Sequence, residues 1–335
     1  MLNGSGRGRV PRRAWKWVAV TVVVAATAAC GEPTSGMSTP GASSDATAVV
    51  TGLDRPTQFV ELDDGSFLVA QLAGDEGAGT GQVVLAVGGS PQQVLLDGLD
   101  VPTGVAVTPG RLWVMEATAL SVADWAGPGA PVGPLSQVVS GLVGNGRSQG
   151  TLTVAPDGRV LWAVTGGDGA PGSGTLRATE PDAVPPGAVR TEVIATGAKN
   201  AYATAFDDGL LAVTEIGDAA VPPPDLLVEL PAPAPGAEPV DLGWPECRPV
   251  PVCPGVVEPV ARFAPGSTPS GVAPVADGWA VALFAEGDVV RVARGGGEPE
   301  PIVVGLDGPH SLLRGRDGSL LVSEHGAGRI VVVPG

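Results

Sequence analysis

The chain is poor in charge and in aromatic rings. Of its 335 residues only 16% are charged and 4% are Phe, Trp or Tyr, with a single tyrosine and two histidines. Nineteen Lys and Arg stand against 35 Asp and Glu, a net charge of −16. That balance excludes a nucleic-acid surface, which needs clustered cations to meet phosphate. Long helices are also excluded, because 51 Gly and 34 Pro interrupt the chain every few residues. Disorder is excluded in turn, since 44% of the residues are hydrophobic and many alternate with small polar ones. Short Val- and Leu-rich runs between turn residues describe an all-β protein.

The first 29 residues read as an export address. Arg7, Arg9, Arg12, Arg13 and Lys16 precede the apolar run Trp17 to Ala29, and small residues then lead into Cys30. The run is short for a permanent membrane span, and Thr27-Ala28-Ala29-Cys30 resembles the lipobox at which a bacterial lipoprotein is cleaved and acylated. The alternative is an ordinary signal peptide with an incidental cysteine. Residues 30–45 are rich in Ser, Thr, Gly and Pro and read as a flexible tether. Without the address, fourteen basic residues face thirty-five acidic ones, a net charge of −21, and Lys199 is the only lysine. Attachment to the outer face of the membrane is then expected through lipid on Cys30, since such a surface repels anionic headgroups. Cys247 and Cys253 flank a Pro-rich loop and suit a small disulfide in an oxidising compartment. Zinc is not expected there, because neither His310 nor His325 is close to the pair in sequence.

Residues 46–335 carry a sixfold repeat. Gly-Leu or a variant, a Pro or substitute, an apolar strand, an Asp-Gly turn and a second apolar strand recur from Gly52, Gly98, Gly141, Gly197, Gly266 and Gly305, at intervals of 46, 43, 56, 69 and 39 residues. Units of this length are propeller blades. Gly65, Gly158, Gly209, Gly278 and Gly318 are expected to take positive φ in the hairpin turns. The last unit runs out of chain after three strands, so Ala46 to Val50 is expected to supply its fourth and close the ring. The expected fold is therefore a six-bladed β-propeller, acting as a monomer.

Within the fourth repeat the sequence TGAKNAYATAFDDGLLAVTEIGD is followed by PPDLLVEL and DLGWPEC. With GRSQGTLTVAPDGRVLWAVTGGDG of the third repeat, this order resembles the glucose/sorbosone dehydrogenase family, soluble six-bladed propellers that use pyrroloquinoline quinone (PQQ). The resemblance implies oxidation of a sugar or related alcohol, with calcium as a second cofactor. Arg147 falls where that family has its histidine base, and Asp168 matches the residue that orients the base. Lys199-Asn200 matches the Arg-Asn pair against the quinone, and Ala285, beside Glu286, falls where the family has a cofactor-facing lysine. Glu215, Asp218 and Asp225 follow the calcium-binding region.

Residues entering the inner strands should ring the channel mouth: Thr57, Thr103, Gly150, Ala201, Ser270 and His310, with Gln58, Tyr202 and Ser311 beside them, Gln58 and Tyr202 being expected to face the cofactor together with Lys199 and Asn200. His310 reads either as a substitute base or as a histidine at a loop end. Lys199, Tyr202 and Arg147 would form a positive spot that attracts a small anion, unless the cations pair with Asp168 or Glu215. Trp113, Trp162 and Trp279 read as packing between blades. Two alternatives stand beside the dehydrogenase. One is a propeller without catalysis that recognises a small anionic ligand or an envelope protein, suggested by Arg147 in place of the base. The other is a calcium-dependent lactonase using Glu116, Glu215, Glu324 and Asn200.

Overall fold

The turn glycines set the hairpins. In the computed structural model, which describes residues 46–75, 79–90, 92–142, 149–166, 172–182, 190–217, 225–247 and 253–333, Gly65, Gly158, Gly209 and Gly318 take φ of 80°, 88°, 75° and 86° between the first and second strands of their units. The fifth unit differs. There Asp277 takes the positive φ, at 56°, and Gly278 is the first residue of a strand. Glycine is needed at 278 for space, because a Cβ would lie 2.3 Å from the Val292 carbonyl oxygen.

These hairpins build six sheets arranged as a β-propeller. From centre to rim, blade one is Pro56–Glu61, Phe67–Gln71, Gly81–Ala86 and Gln93–Leu99. Blade two is Gly104–Thr108, Arg111–Met115, Ala119–Asp124 and Ser136–Ser140. Blade three is Thr153–Val154, Val160–Val164, Thr175–Thr179 and Thr191–Thr196. Blade four is Ala201–Asp207, Leu210–Glu215, Asp225–Pro231 and Ala261–Phe263. Blade five is Pro269–Val275, Gly278–Leu283, Asp288–Ala293 and Glu300–Val303. Blade six is Pro309–Arg314, Leu320–Glu324 and Arg329–Val333, with Thr47–Thr51 pairing antiparallel to Arg329–Val333 as its outer strand.

The long fourth interval has a structural cause. Between the third and fourth strands of blade four the chain detours to blade three, where Val240–Asp241 adds a fifth strand parallel to Thr191–Thr196. Cys247 and Cys253, joined as a disulfide, follow in the return segment.

Each blade buries its faces against its neighbours, so the core is divided into six apolar clusters, one per blade junction. The indoles of Trp113, Trp162 and Trp279 are fully buried, the first two in one cluster between blades two and three and the third in the cluster between blades four and five, as second-strand positions implied. Each ring nitrogen is satisfied: Trp113 Nε1 donates to Thr108 Oγ1 and Trp162 Nε1 to Thr179 Oγ1, both at 2.9 Å, and Trp279 Nε1 to Glu229 at 2.8 Å.

Candidate active site

Polar groups at the strand entrances are spent in two repeated ways. In the first, an acid or amide ending the second strand accepts a backbone N–H from the segment entering the first strand of the same blade. Gln71 accepts from Asp54 at 3.0 Å, Glu116 from Asp100 at 2.9 Å, Glu215 from Lys199 at 2.8 Å and Glu324 from Asp307 at 2.9 Å. Glu215 and Glu324 are only 1% exposed. The carboxylates expected to cluster for a lactonase thus sit one to a blade, each tying down its own entry loop.

In the second, a hydroxyl at the mouth of one inner strand donates to a carbonyl of the next blade. Thr57 donates to Pro102 at 2.7 Å, Thr103 to Gly150 at 3.2 Å, Thr151 to Tyr202 at 3.3 Å and Ser270 to Pro309 at 3.1 Å. The mouth residues of blades three and four are therefore Thr151 and Tyr202, one position beyond the Gly150 and Ala201 expected from the repeat. Gly150 instead permits a close approach, since a Cβ there would lie 2.3 Å from the Tyr202 carbonyl oxygen.

Four blades hold Thr or Ser at this position, and the other two hold Tyr202 and His310. These two side chains meet: the Tyr202 hydroxyl lies 3.1 Å from His310 Nε2, and both residues are buried. A ring cluster encloses them. His325 stacks on His310 with centroids 5.6 Å apart, Phe284 stands edge-on to both imidazoles, and His325 Nδ1 lies 3.2 Å from the Pro56 carbonyl. Burial, and secondarily the charge of His325, pulls the His310 pKa down to about 3, against a smaller upward effect of the Thr57 backbone. Its Nδ1 is buried and makes no well-formed hydrogen bond. His310 is thus a neutral imidazole facing a phenol, and its reading as an isolated histidine at a loop end is overturned. Phe284 and His325, in loops after the second strands of blades five and six, were not singled out from sequence; only ring closure brings them to the mouth.

Lys199 and Asn200 lie beside this cluster in chain order, on the segment entering the inner strand of blade four. The Lys199 ammonium sits 4.6 Å from the Trp244 ring centroid and forms no ion pair among the described residues. Asn200 is buried, with its side-chain oxygen 3.3 Å from the Thr165 hydroxyl. Gln149, also missed, is 1% exposed and joins blades two and three: it donates to the Ala117 carbonyl and accepts from Thr165 N–H.

Gln58, expected to face a cofactor, does other work. Its Nε2 donates to the Leu152 carbonyl at 2.6 Å, and its Oε1 accepts from Val105 N–H and Leu152 N–H at 2.8 and 2.9 Å. One amide thereby ties the inner strands of blades one and two to the Leu152 backbone of blade three. Ser311, also expected at the funnel, is buried, and its N–H donates to the Ser323 hydroxyl.

Asp225 is fully buried and accepts from Gly217 N–H at 2.6 Å and Thr268 N–H at 2.7 Å. Burial raises its pKa above the usual carboxylate value, and the backbone donors offset part of that rise. Glu215 Oε1 is taken in the same way, by the Lys199 N–H. Arg147, Asp168, Asp218 and Cys30 lie outside the described residues, as do residues 1–45.

No family model and no curated protein matches the sequence. Solved structures do match the fold. The PQQ-bound aldose sugar dehydrogenase of Streptomyces coelicolor superposes with a TM-score of 0.69 at 18% identity, over 88% of this chain and 99% of that one. The holo PQQ domain of Coprinopsis cinerea pyranose dehydrogenase gives 0.67 at 16%, over 87% and 95%. The soluble aldose sugar dehydrogenase of Escherichia coli, in its apo form, gives 0.64 at 17%, over 87% and 99%. Across nearly the whole described propeller, this chain has the six-bladed fold of soluble PQQ-dependent sugar dehydrogenases.

Proposed function

We propose that the protein is a lipid-anchored, extracytoplasmic relative of the sugar dehydrogenases that binds a sugar or related alcohol at the channel mouth and oxidises it when PQQ is bound. The observation that carries this reading is the buried Tyr202–His310 hydrogen bond, at the two mouth positions where the other blades spend a hydroxyl on the backbone.

The residues present suit a flat anionic ring. Lys199, with no carboxylate partner among the described residues and with its ammonium over the Trp244 indole, offers a cation beside an aromatic plane. Lys199, Trp244 and Asn200 would hold PQQ, which supplies a two-electron acceptor when bound. The chain's own part is proton handling. His310 stays neutral at physiological pH, so its Nε2 can accept the Tyr202 proton while that hydroxyl receives one from a substrate alcohol. Arg147 cannot take the role of base, because guanidinium stays protonated. Among the described residues expected near calcium, Asp225 has both oxygens and Glu215 its Oε1 engaged by N–H groups, and no step is assigned to that ion.

Two features support the location: the basic and apolar segments that lead to Cys30, and the Cys247–Cys253 disulfide. The test is to titrate purified protein with PQQ, with and without calcium, and then to follow dye reduction across a panel of aldoses. Saturable PQQ binding with turnover is expected. Ligand binding without turnover would favour the second reading, a recognition propeller, which the weak basicity of His310 itself favours. Neither binding nor turnover would end the dehydrogenase reading.

A further inference from the structure

The channel has a second end. Beyond Gln58, the C-terminal halves of all six inner strands enclose a cavity of about 410 Å³, a volume within the range of small-molecule sites. Its walls are mainly apolar, with Val60, Val107, Val154, Phe206 and Leu313 among them. Val154 is one of three large hydrophobics that stand exposed among the described residues, at 37%. Two polar residues of the wall are already satisfied: the Gln58 amide is spent on Val105 and Leu152, and the Thr153 hydroxyl donates to the Thr204 carbonyl at 2.8 Å.

Arg314 is the only charged residue of the lining. It ends the inner strand of blade six, is exposed, and forms neither ion pair nor hydrogen bond among the described residues. Arg159, Arg294, Arg316 and Arg329, by contrast, each sit against a carboxylate. An apolar hollow rimmed by one uncommitted guanidinium matches a ligand with a hydrocarbon body and a single carboxylate, which the guanidinium meets in a bidentate pair.

We infer that the base of the channel is a second ligand site, separate from the mouth, for a medium-chain monocarboxylate whose chain fills the hollow and whose carboxylate meets Arg314. The site does not depend on any reaction at the mouth.

Isothermal titration of the purified protein with octanoate tests the inference, with 1-octanol as the uncharged probe and butyrate as the short one. Saturable octanoate binding is expected, with octanol and butyrate each at least about tenfold weaker, since one charge-assisted pair or several buried methylenes separates the probes. Arg314→Gln should weaken octanoate about tenfold and leave octanol unchanged. Val154→Trp, which narrows the hollow, should abolish both, while Tyr202→Phe at the mouth should alter neither. Both substituted lower-end positions are exposed, so the fold is expected to survive, and a wild-type circular dichroism spectrum would confirm it. No saturable octanoate binding at millimolar concentration would overturn the inference. So would equal affinity in Arg314→Gln, or competition between octanoate and a mouth ligand.

Discussion

Replacing Glu324 separates two jobs that one carboxylate performs. Its Oε1 accepts the Asp307 N–H at 2.9 Å, fixing the segment that enters the inner strand of blade six, and its other oxygen pairs with Arg329. Glu324 is 1% exposed, whereas the Arg329 side chain is 35% exposed. Glu324→Ala leaves the Asp307 N–H without its acceptor, at roughly 1–3 kcal/mol, and removes a carboxylate with two hydrogen-bonding contacts, for a total of about 3 kcal/mol. Glu324→Gln keeps an acceptor and loses only the ion pair, which contributes about 1 kcal/mol with its partner partly in water. Blade one already contains this amide version, because Gln71 accepts the Asp54 N–H at 3.0 Å. Equilibrium urea unfolding should place the Gln variant close to wild type and the Ala variant well below it, at an unchanged slope. Equal destabilisation by the two substitutions would refute the assignment of the staple to the hydrogen bond.

Four other outcomes are expected. Gln58→Ala strands the N–H groups of Val105 and Leu152 and should cost about 2–4 kcal/mol in urea unfolding; wild-type stability would mean that the amide is dispensable. Deleting residues 46–51 should expose the edge of Arg329–Val333 and produce both lower stability and association by light scattering. His310 titrates near 3 in the folded state and near 6.5 when unfolded, so its contribution to stability is complete above pH 6.5 and is lost as pH falls toward 3, by at most about 1.4 kcal/mol per unit. His310→Gln should flatten that slope, while Asp225, with its raised pKa, acts in the opposite direction and remains in both proteins. Cys30→Ser should release the protein from the membrane fraction, and unchanged partitioning would exclude a lipid anchor there.

The blade plan was legible because turns and entries are local. Positive-φ glycines follow Asp at 65, 158, 209 and 318, and the incomplete last unit called for a strand near residue 46, where Thr47–Thr51 lies. The three second-strand tryptophans and the cysteine pair were legible for the same reason. The site was less so. The repeat register placed Gly150 and Ala201 at the mouth, whereas the hydroxyls that mark it belong to the next residues, Thr151 and Tyr202. Tyr202 and His310 are 108 residues apart and meet only once the ring is closed. Gln58 was assigned to a cofactor because nothing local reveals that its amide reaches Leu152, 94 residues away. The recurrence of Glu or Gln sixteen or seventeen residues after the tethered N–H was visible in the repeats, and marks the residues that hold the entry loops.

The most direct test of the mouth as a catalytic centre is the steady-state rate of dye-linked aldose oxidation by PQQ-saturated wild type and His310→Ala. If the Tyr202–His310 pair moves the substrate proton, kcat should fall by about 10²–10⁴ in the variant, the usual effect of removing a general base, with KM little changed. A variant that turns over as fast as wild type, or a wild type with no turnover at all, would contradict that role.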